Sequence, residues 1–531
     1  MRFKLTKLAV VLSTAGMISI PVFAASQQDI NNLTKQVNAL QQQVSTLQTE
    51  VQVHNAQHKK TKSKTTTSYV SHGKVVTGPL IPTTPDTSGA QNTPSGGSLL
   101  PTSGLTYLPV DLDVPGQSFV SSGPYIGIPL QFSGSNLIIN NPSVNQDVSL
   151  LKIRKNIHQR LHALGVTEEQ DHAHVLLSGV VEGQAMYKKI GGSSYSTDID
   201  LTNATLDAYI LGPSDWLSSL MSLTYDNNIG TESGSLANNS RDLNSRVLIT
   251  QAFVTIGNLM KSPVYGTFGQ FYVPFGTYSS NMVSAPLTQL LARTKARAIL
   301  LGYQPENNDG LYGSAYVFRG DTRFSTINRV SNGGINVGYR FHLMGDVIHS
   351  DIGGGVIRNL ADSVGMQDTG NSAGIFNGFG GVNSTGNEQL QHRVPAYDAR
   401  ALLSIGKVDL LGEYITAAKA FSPQDMTMNS VGARPQALNA EAAYTFDAFA
   451  RPTSVAIGYG MTKNALALQL PTRRYSMVLN TSIWRDTLQS LEFRHDINYA
   501  ASNFATGSGV PVPASSGKPD NAITAQFDVY F

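Results

Sequence analysis

There is no cysteine among the 531 residues of the chain. That excludes a disulfide framework, an iron–sulfur site and a lipid-modified N-terminal cysteine. Charged residues amount to only 14 % and the net charge is +2, so no basic excess is available for a nucleic-acid partner. Long apolar runs are missing as well. Beyond the N-terminus no window approaches the roughly 20 apolar residues that a membrane helix needs. What the chain has instead is 49 glycines and 8 % aromatic residues. Gly-rich, polar sequence with scattered aromatics suits a transmembrane β-barrel better than a helical membrane protein.

The N-terminal part reads as a series of short segments. Residues 1–24 have the layout of a secretory signal: basic Arg2, Lys4 and Lys7, an apolar Leu8–Ile20, and the small-residue ending Val22-Phe23-Ala24. Residues 25–55 carry a heptad seam of Ile30, Leu33, Val37, Leu40, Val44, Leu47 and Val51, the period of a coiled coil that makes a homo-oligomer. Residues 56–104 are Lys-rich and then Pro-, Ser- and Thr-rich, the composition of a flexible linker. Residues 105–172 form a further segment with one short helix, marked by Val148, Leu151, Ile157, Leu161 and Leu164, with Asp147 before them and Gly165 after. His158 and His162 sit at i and i+4 on that helix, but neither cysteine nor a carboxylate set accompanies them, so no metal or cofactor is expected.

From 173 to 531 the sequence is a run of short alternating segments, which predicts an all-β fold. Ile335, Val337, Tyr339, Phe341 and Leu343 oppose Asn336, Arg340 and His342; Leu491 and Phe493 oppose Glu492, Arg494 and Asp496. Short links near 212–216, 258–262, 305–309, 344–346, 406–407, 447–452 and 485–487 alternate with longer polar ones. This asymmetry predicts an antiparallel outer-membrane barrel of about 16 strands with both ends on the short-turn side. The N-terminal region then lies in the periplasm. The final segment, Ile523 to Phe531, is apolar at every odd position and ends in an aromatic. Phe527, Val529 and Phe531 resemble the C-terminal signal read by the barrel-assembly machinery. The closing partner is expected to be the segment beginning at Ala173.

Two features bear on function. Pro286 to Leu291 reads as a helical turn within a loop, and Arg293, Lys295 and Arg297 follow on one parity of the next strand. A cation facing lipid near the midplane costs about 2–4 kcal/mol, which pushes this trio into the lumen or up to the interface. If the loop folds inward, the three line a constriction and attract anions; otherwise they form a ladder with Glu182, Asp398, Glu413, Glu441 or Glu492. No enzyme is expected, because His342, His349, His392 and His495 are scattered in sequence without a distinctive nucleophile.

The combined layout of signal peptide, Gln-rich coiled coil, linker and barrel ending in Phe resembles the LbtU family of siderophore porins. Asn136 to Leu151 and the last strand are its most suggestive local parts. The resemblance implies uptake of a ferric siderophore across the outer membrane, and it carries over no ligand-contact residue. The alternative is an anion-selective porin of the phosphate type, which Gln270 to Gly276 resembles in sequence and which the three cations favour. A TonB-driven receptor needs about 22 strands and a globular plug, and residues 173–531 are too few for that. An adhesin needs an external coiled coil, contrary to the loop asymmetry.

Overall fold

A computed structural model describes residues 112–114, 118–122, 144–163, 173–191, 195–212, 214–226, 246–306, 309–322, 329–343, 348–369, 376, 378–380, 390–448, 451–484, 487–507, 510–512 and 517–530. The signal-peptide, coiled-coil and linker readings, and Phe531, lie outside the described residues.

Sixteen antiparallel strands form a closed ring. They are β1 (Ala173–Lys189), β2 (Tyr195–Leu211), β3 (Leu217–Asp226), β4 (Arg246–Ile256), β5 (Val264–Tyr272), β6 (Lys295–Tyr303), β7 (Gly310–Phe318) and β8 (Asn332–Leu343). The ring continues with β9 (Ile348–Ile357), β10 (Ala396–Ile405), β11 (Val408–Ala417), β12 (Gln436–Ala448), β13 (Arg451–Lys463), β14 (Arg473–Thr481), β15 (Thr487–Ile497) and β16 (Asp520–Tyr530). Each strand pairs with its sequence neighbour, and β16 closes on β1 from Asn521↔Lys189 to Tyr530↔Val180. Closure removes the free edge that a terminal strand otherwise exposes. The strand count and the closing partner read from the sequence are both borne out. Two short strands outside the ring, Leu112–Val114 and Ser118–Ser122, continue the sheet. The second runs parallel to Ala173–Leu177, the stretch of β1 that β16 does not reach.

Alternation sets what each strand presents. Ile523, Phe527 and Val529 are 40–45 % exposed while Asp528 between them is 1 % exposed. Ile335, Val337 and Tyr339 face out as Arg340 faces in, and Leu491 and Phe493 face out as Glu492 faces in. The outward set is an apolar belt suited to hydrocarbon, and the inward set is polar. Links differ in the same sense: 406–407 and 449–450 are tight, whereas 227–245, 273–294, 358–395 and 498–519 are long. The first connection on the long-link side is itself short, because β1 and β2 pair all the way to Lys189↔Tyr195.

Three tyrosines fill the inner wall by lying over glycines of a neighbouring strand. A Cβ at Gly302 would meet the Tyr265 ring, one at Gly338 the Tyr312 ring, and one at Gly334 the Tyr316 hydroxyl, each at 2.2–2.4 Å. Gly338→Val is therefore expected to displace Tyr312 and cost about 1–3 kcal/mol. Heat-modifiable gel mobility, which distinguishes folded from unfolded barrel, reads this as a lower conversion temperature.

Candidate functional site

The long link from β5 to β6 leaves the wall and enters the lumen. From Val273 to Ala292 it contains no charged residue. Gly276 turns the chain with φ +80, and Tyr278 follows at φ +53. Val273, Phe275, Tyr278, Ser280 and Asn281 are fully buried. The helical turn read at Pro286–Leu291 is present as α2 (Leu287–Ala292) with Pro286 as its N-cap.

A loop away from any strand must find partners for its backbone donors elsewhere. Here three carboxylates on the opposite wall supply them. Glu413 of β11 accepts from Thr277 N (2.6 Å), Tyr278 N (3.1 Å) and Thr288 Oγ1 (2.7 Å). Glu441 of β12 accepts from Ser280 Oγ (2.6 Å) and Asn281 N (2.7 Å), while Asn439 donates to it from the wall. Glu492 of β15 accepts from Ser284 N (2.8 Å) and Ser284 Oγ (2.5 Å). Two wall groups also donate to loop carbonyls, Asn480 Nδ2 to Asn281 O (3.1 Å) and Arg474 Nη1 to Ala285 O (3.0 Å). Hydrogen bonds to a charged group contribute about 1.5–3 kcal/mol each, so the loop is held as a fixed bar across the lumen. From the long-loop end, Ser363 Oγ donates to Leu291 O and Val364 N to Arg293 O. Phe376 and Phe379 of the link 358–395 are buried, and Phe379 stacks on Phe421 at 5.7 Å. Their apolar area drives that loop down onto the bar.

The opposite side of the lumen holds a second obstruction. Helix α1 (Gln146–Ala163) packs on the inner faces of β2 to β6. Leu150, Leu151 and Ile153 are buried in the cluster that contains Tyr209, Leu211, Leu220, Phe253 and Tyr265. Tyr209 donates to Leu150 O (2.8 Å), Thr267 to Asp147 Oδ2 (3.0 Å) and Gln251 to Gln146 Oε1 (2.6 Å). Arg154 donates to Leu217 O and Ser214 O, and Lys155 to Glu306 O, at the short-turn rim. Asp147 thus sits inside the first turn and binds the wall; its position before the helix was the sequence reading. Burial raises its carboxyl above the usual range, countered by the bonds from Val148 N and Thr267. Burial, then Arg340, lowers the Lys152 ammonium well below its ordinary value. The side chains of His158 and His162 lie outside the described residues.

Between helix and bar runs a ladder of paired charges. Arg340 binds Asp351 at 2.7 Å and lies 3.9 Å over the Tyr312 ring. Tyr312 donates to Asp351 (2.6 Å) and accepts from Arg400, which bonds Asp398 (2.5 Å) and Asn336 (2.5 Å). On the far side Arg474 and Arg494 share Asp496. The lumen therefore offers both signs side by side, with Arg474 and Arg494 on a single carboxylate.

No protein-family model matches the chain. A curated UPF0422 protein of Coxiella burnetii is 42 % identical over 419 residues, covering 78 % of this chain and 84 % of that one. A UPF0422 protein of Legionella pneumophila (strain Philadelphia 1) is 39 % identical over 419 residues, covering 78 % and 76 %. The chain belongs to the UPF0422 family. Among solved structures, the outer-membrane channel DcaP of Acinetobacter baumannii is 11 % identical with a TM-score of 0.42, covering 68 % of this chain and 97 % of that one. An anion-selective porin from Comamonas acidovorans is likewise 11 % identical at 0.43, covering 68 % and 100 %. For this UPF0422 member the closed ring and its apolar belt carry the assignment: an outer-membrane barrel, of a size that encloses an aqueous channel.

The UPF0422 chain does not gather Arg293, Lys295 and Arg297 on the bar's inner face. Arg297 is exposed on the parity of Ile299 (65 % exposed) and Leu301 (63 %), and it reaches Gln270 Oε1 at 3.4 Å. Lys295 shares that parity, and Arg293 caps α2 with its guanidinium 4.7 Å over Tyr272. Ala298 and Leu300 are the inward residues of this strand. The carboxylates named as partners of these cations, Glu413, Glu441 and Glu492, hold loop backbone instead. Arg340 and Arg494, set opposite an apolar parity in the sequence, do face the lumen; Arg400 and Arg474, which the sequence reading passed over, carried the same signal beside outward Tyr397 and Tyr475. His342 and His349, scattered in sequence, meet across β8 and β9 with ring centroids 4.7 Å apart, and His342 also contacts Asp309. Phe527 and Val529 of the proposed assembly signal face outward.

Proposed function

We propose that this protein is an uptake channel of the outer membrane for a ferric siderophore or related iron complex, working without a TonB-type plug. Its long loops then face the exterior, and the short turns and N-terminal region face the periplasm, where the coiled coil joins copies into a homo-oligomer. The observation that supports the chelate over a small anion is the outward parity of Arg297. An anion filter needs unpaired cations along the conduction path, and the lumen's Arg340 and Arg400 are each matched to a carboxylate while Arg474 and Arg494 share Asp496. A lumen of alternating sign suits a polar, multiply hydrogen-bonding solute better than a lone phosphate. The layout shared with the siderophore porins supports the same cargo.

Uptake of radiolabelled iron, with and without siderophore, separates the readings. Cells lacking the protein are expected to lose siderophore-dependent uptake and keep phosphate uptake. Unaltered iron uptake in that strain, with anion-selective conductance of the pure protein, reverses the assignment in favour of the phosphate-type porin.

A further inference from the structure

The outward columns of several strands end alike at the long-loop rim. Reading up each column, apolar or aromatic residues give way to a cation: Lys189 on β1, Arg297 on β6, Arg319 after β7, Arg358 after β9, Lys463 on β13 and Arg473 on β14. All six are exposed. Immediately below them lie Tyr187, Ile299, Val317, Val356 and Tyr475, each at least 41 % exposed. On β6 to β10 no carboxylate shares the outward parity. Register brings the arginines together, since Ala298↔Phe318 sets Arg297 beside Arg319.

Arg329 and Arg393 add to the same sector. Arg393 is held below its ordinary value first by burial and then by the positive charge of Arg358 and Arg329. Among the described residues, Asp362 in the loop above is the carboxylate that acts on Arg393. Asp362 is buried and takes its hydrogen bonds from Thr322 N (2.8 Å) and Asn332 Nδ2 (2.7 Å). A cluster of like charges at the top of a lipid-facing wall raises its own electrostatic energy unless anions meet it.

We propose that this rim is a binding belt for the phosphates of an anionic glycolipid in the outer leaflet. Guanidinium groups recognise phosphate oxygens through paired, charge-assisted hydrogen bonds. The apolar residues directly below receive the acyl chains of the same molecule, so one lipid is held at both its parts. The proposal rests on the orientation given above, with long loops outside, but not on the cargo. It also gives Arg297 and Lys295 a role that their outward parity permits and a lumen filter does not.

The test compares the full-length wild type with Arg297→Gln/Arg319→Gln/Arg358→Gln, and with Arg340→Gln as a lumen control. Phosphoglycolipid carried through purification is counted by native mass spectrometry, and rebinding is titrated with diphosphorylated lipid A and with its dephosphorylated form. Three basic residues at an anionic surface correspond to roughly a hundredfold in affinity. The triple variant is expected to lose binding by about that factor, and Arg340→Gln to keep it. Dephosphorylated lipid is expected to bind neither protein well. Equal binding by the triple variant, or by dephosphorylated lipid, overturns the belt. Inorganic phosphate alone competing at the same concentration as lipid also overturns it, because that marks a free-anion site. Conductance is measured on the same preparations, so loss of lipid with normal conductance leaves the channel reading intact. Should the triple variant fail to fold, Arg→Lys at the three positions must retain lipid and Arg358→Gln alone must reduce it.

Discussion

Replacing Glu413, Glu441 and Glu492 together by Ala is expected to raise single-channel conductance while the barrel still folds. These carboxylates are the wall's hold on the bar, and each accepts at least two bonds from it. At about 1.5–3 kcal/mol for each charged hydrogen bond, losing one anchor costs several kcal/mol of bar attachment, and losing three leaves the bar to its apolar contacts and the bonds from Asn480, Arg474 and Ser363. The barrel itself does not depend on them, since its ring is closed by backbone ladders on every strand. Conservative Glu→Gln keeps the acceptor but weakens it, and so should give an intermediate conductance. A triple Ala variant with wild-type conductance and unaltered current noise contradicts the anchoring role.

The second large effect concerns the helix in the lumen. Leu150→Ala with Leu151→Ala removes two side chains that are each 1 % exposed, at about 2–5 kcal/mol apiece. Adding Arg154→Ala removes two bonds to the carbonyls of Leu217 and Ser214. The helix precedes β1, so its release leaves every ring pairing in place. Conductance is expected to rise, and added protease is expected to cut within 146–163 from the short-turn side only. Protection equal to wild type means that the helix is held by something other than this apolar face.

The ring was legible because lipid imposes a rule: outward residues within the hydrocarbon band must be apolar, and the last strand must find the first. Ile523 to Val529 obey it, and the alternation of short and long links counts the staves. The lumen obeys no comparable rule. The helical turn at Pro286 to Leu291 set the loop Val273 to Ala292 apart and left an inward fold open, and the absence of charge across the loop is the further mark of its burial. Glu413, Glu441 and Glu492 look in sequence like ion-pair partners, because a carboxylate that takes backbone N–H groups carries no sequence mark. Parity also misled at Arg293, Lys295 and Arg297. Period two tells which residues share a face, and it needs the neighbouring Ile299 and Leu301 to say which face that is. Leu150 and Ile153 were missed on α1, since a helix packed within a lumen buries more of its circumference than a single stripe.

Because the chain has no native cysteine, one introduced thiol reports its own location without background. The direct measurement is bilayer conductance of Thr277→Cys and of Ile299→Cys during exposure to a charged, membrane-impermeant thiol reagent. With the bar in the lumen and Ile299 in lipid, conductance falls in steps for Thr277→Cys and stays constant for Ile299→Cys. Steps at Ile299 with none at Thr277 contradict the account, because they put the outward parity of β6 in the pore and the bar outside it.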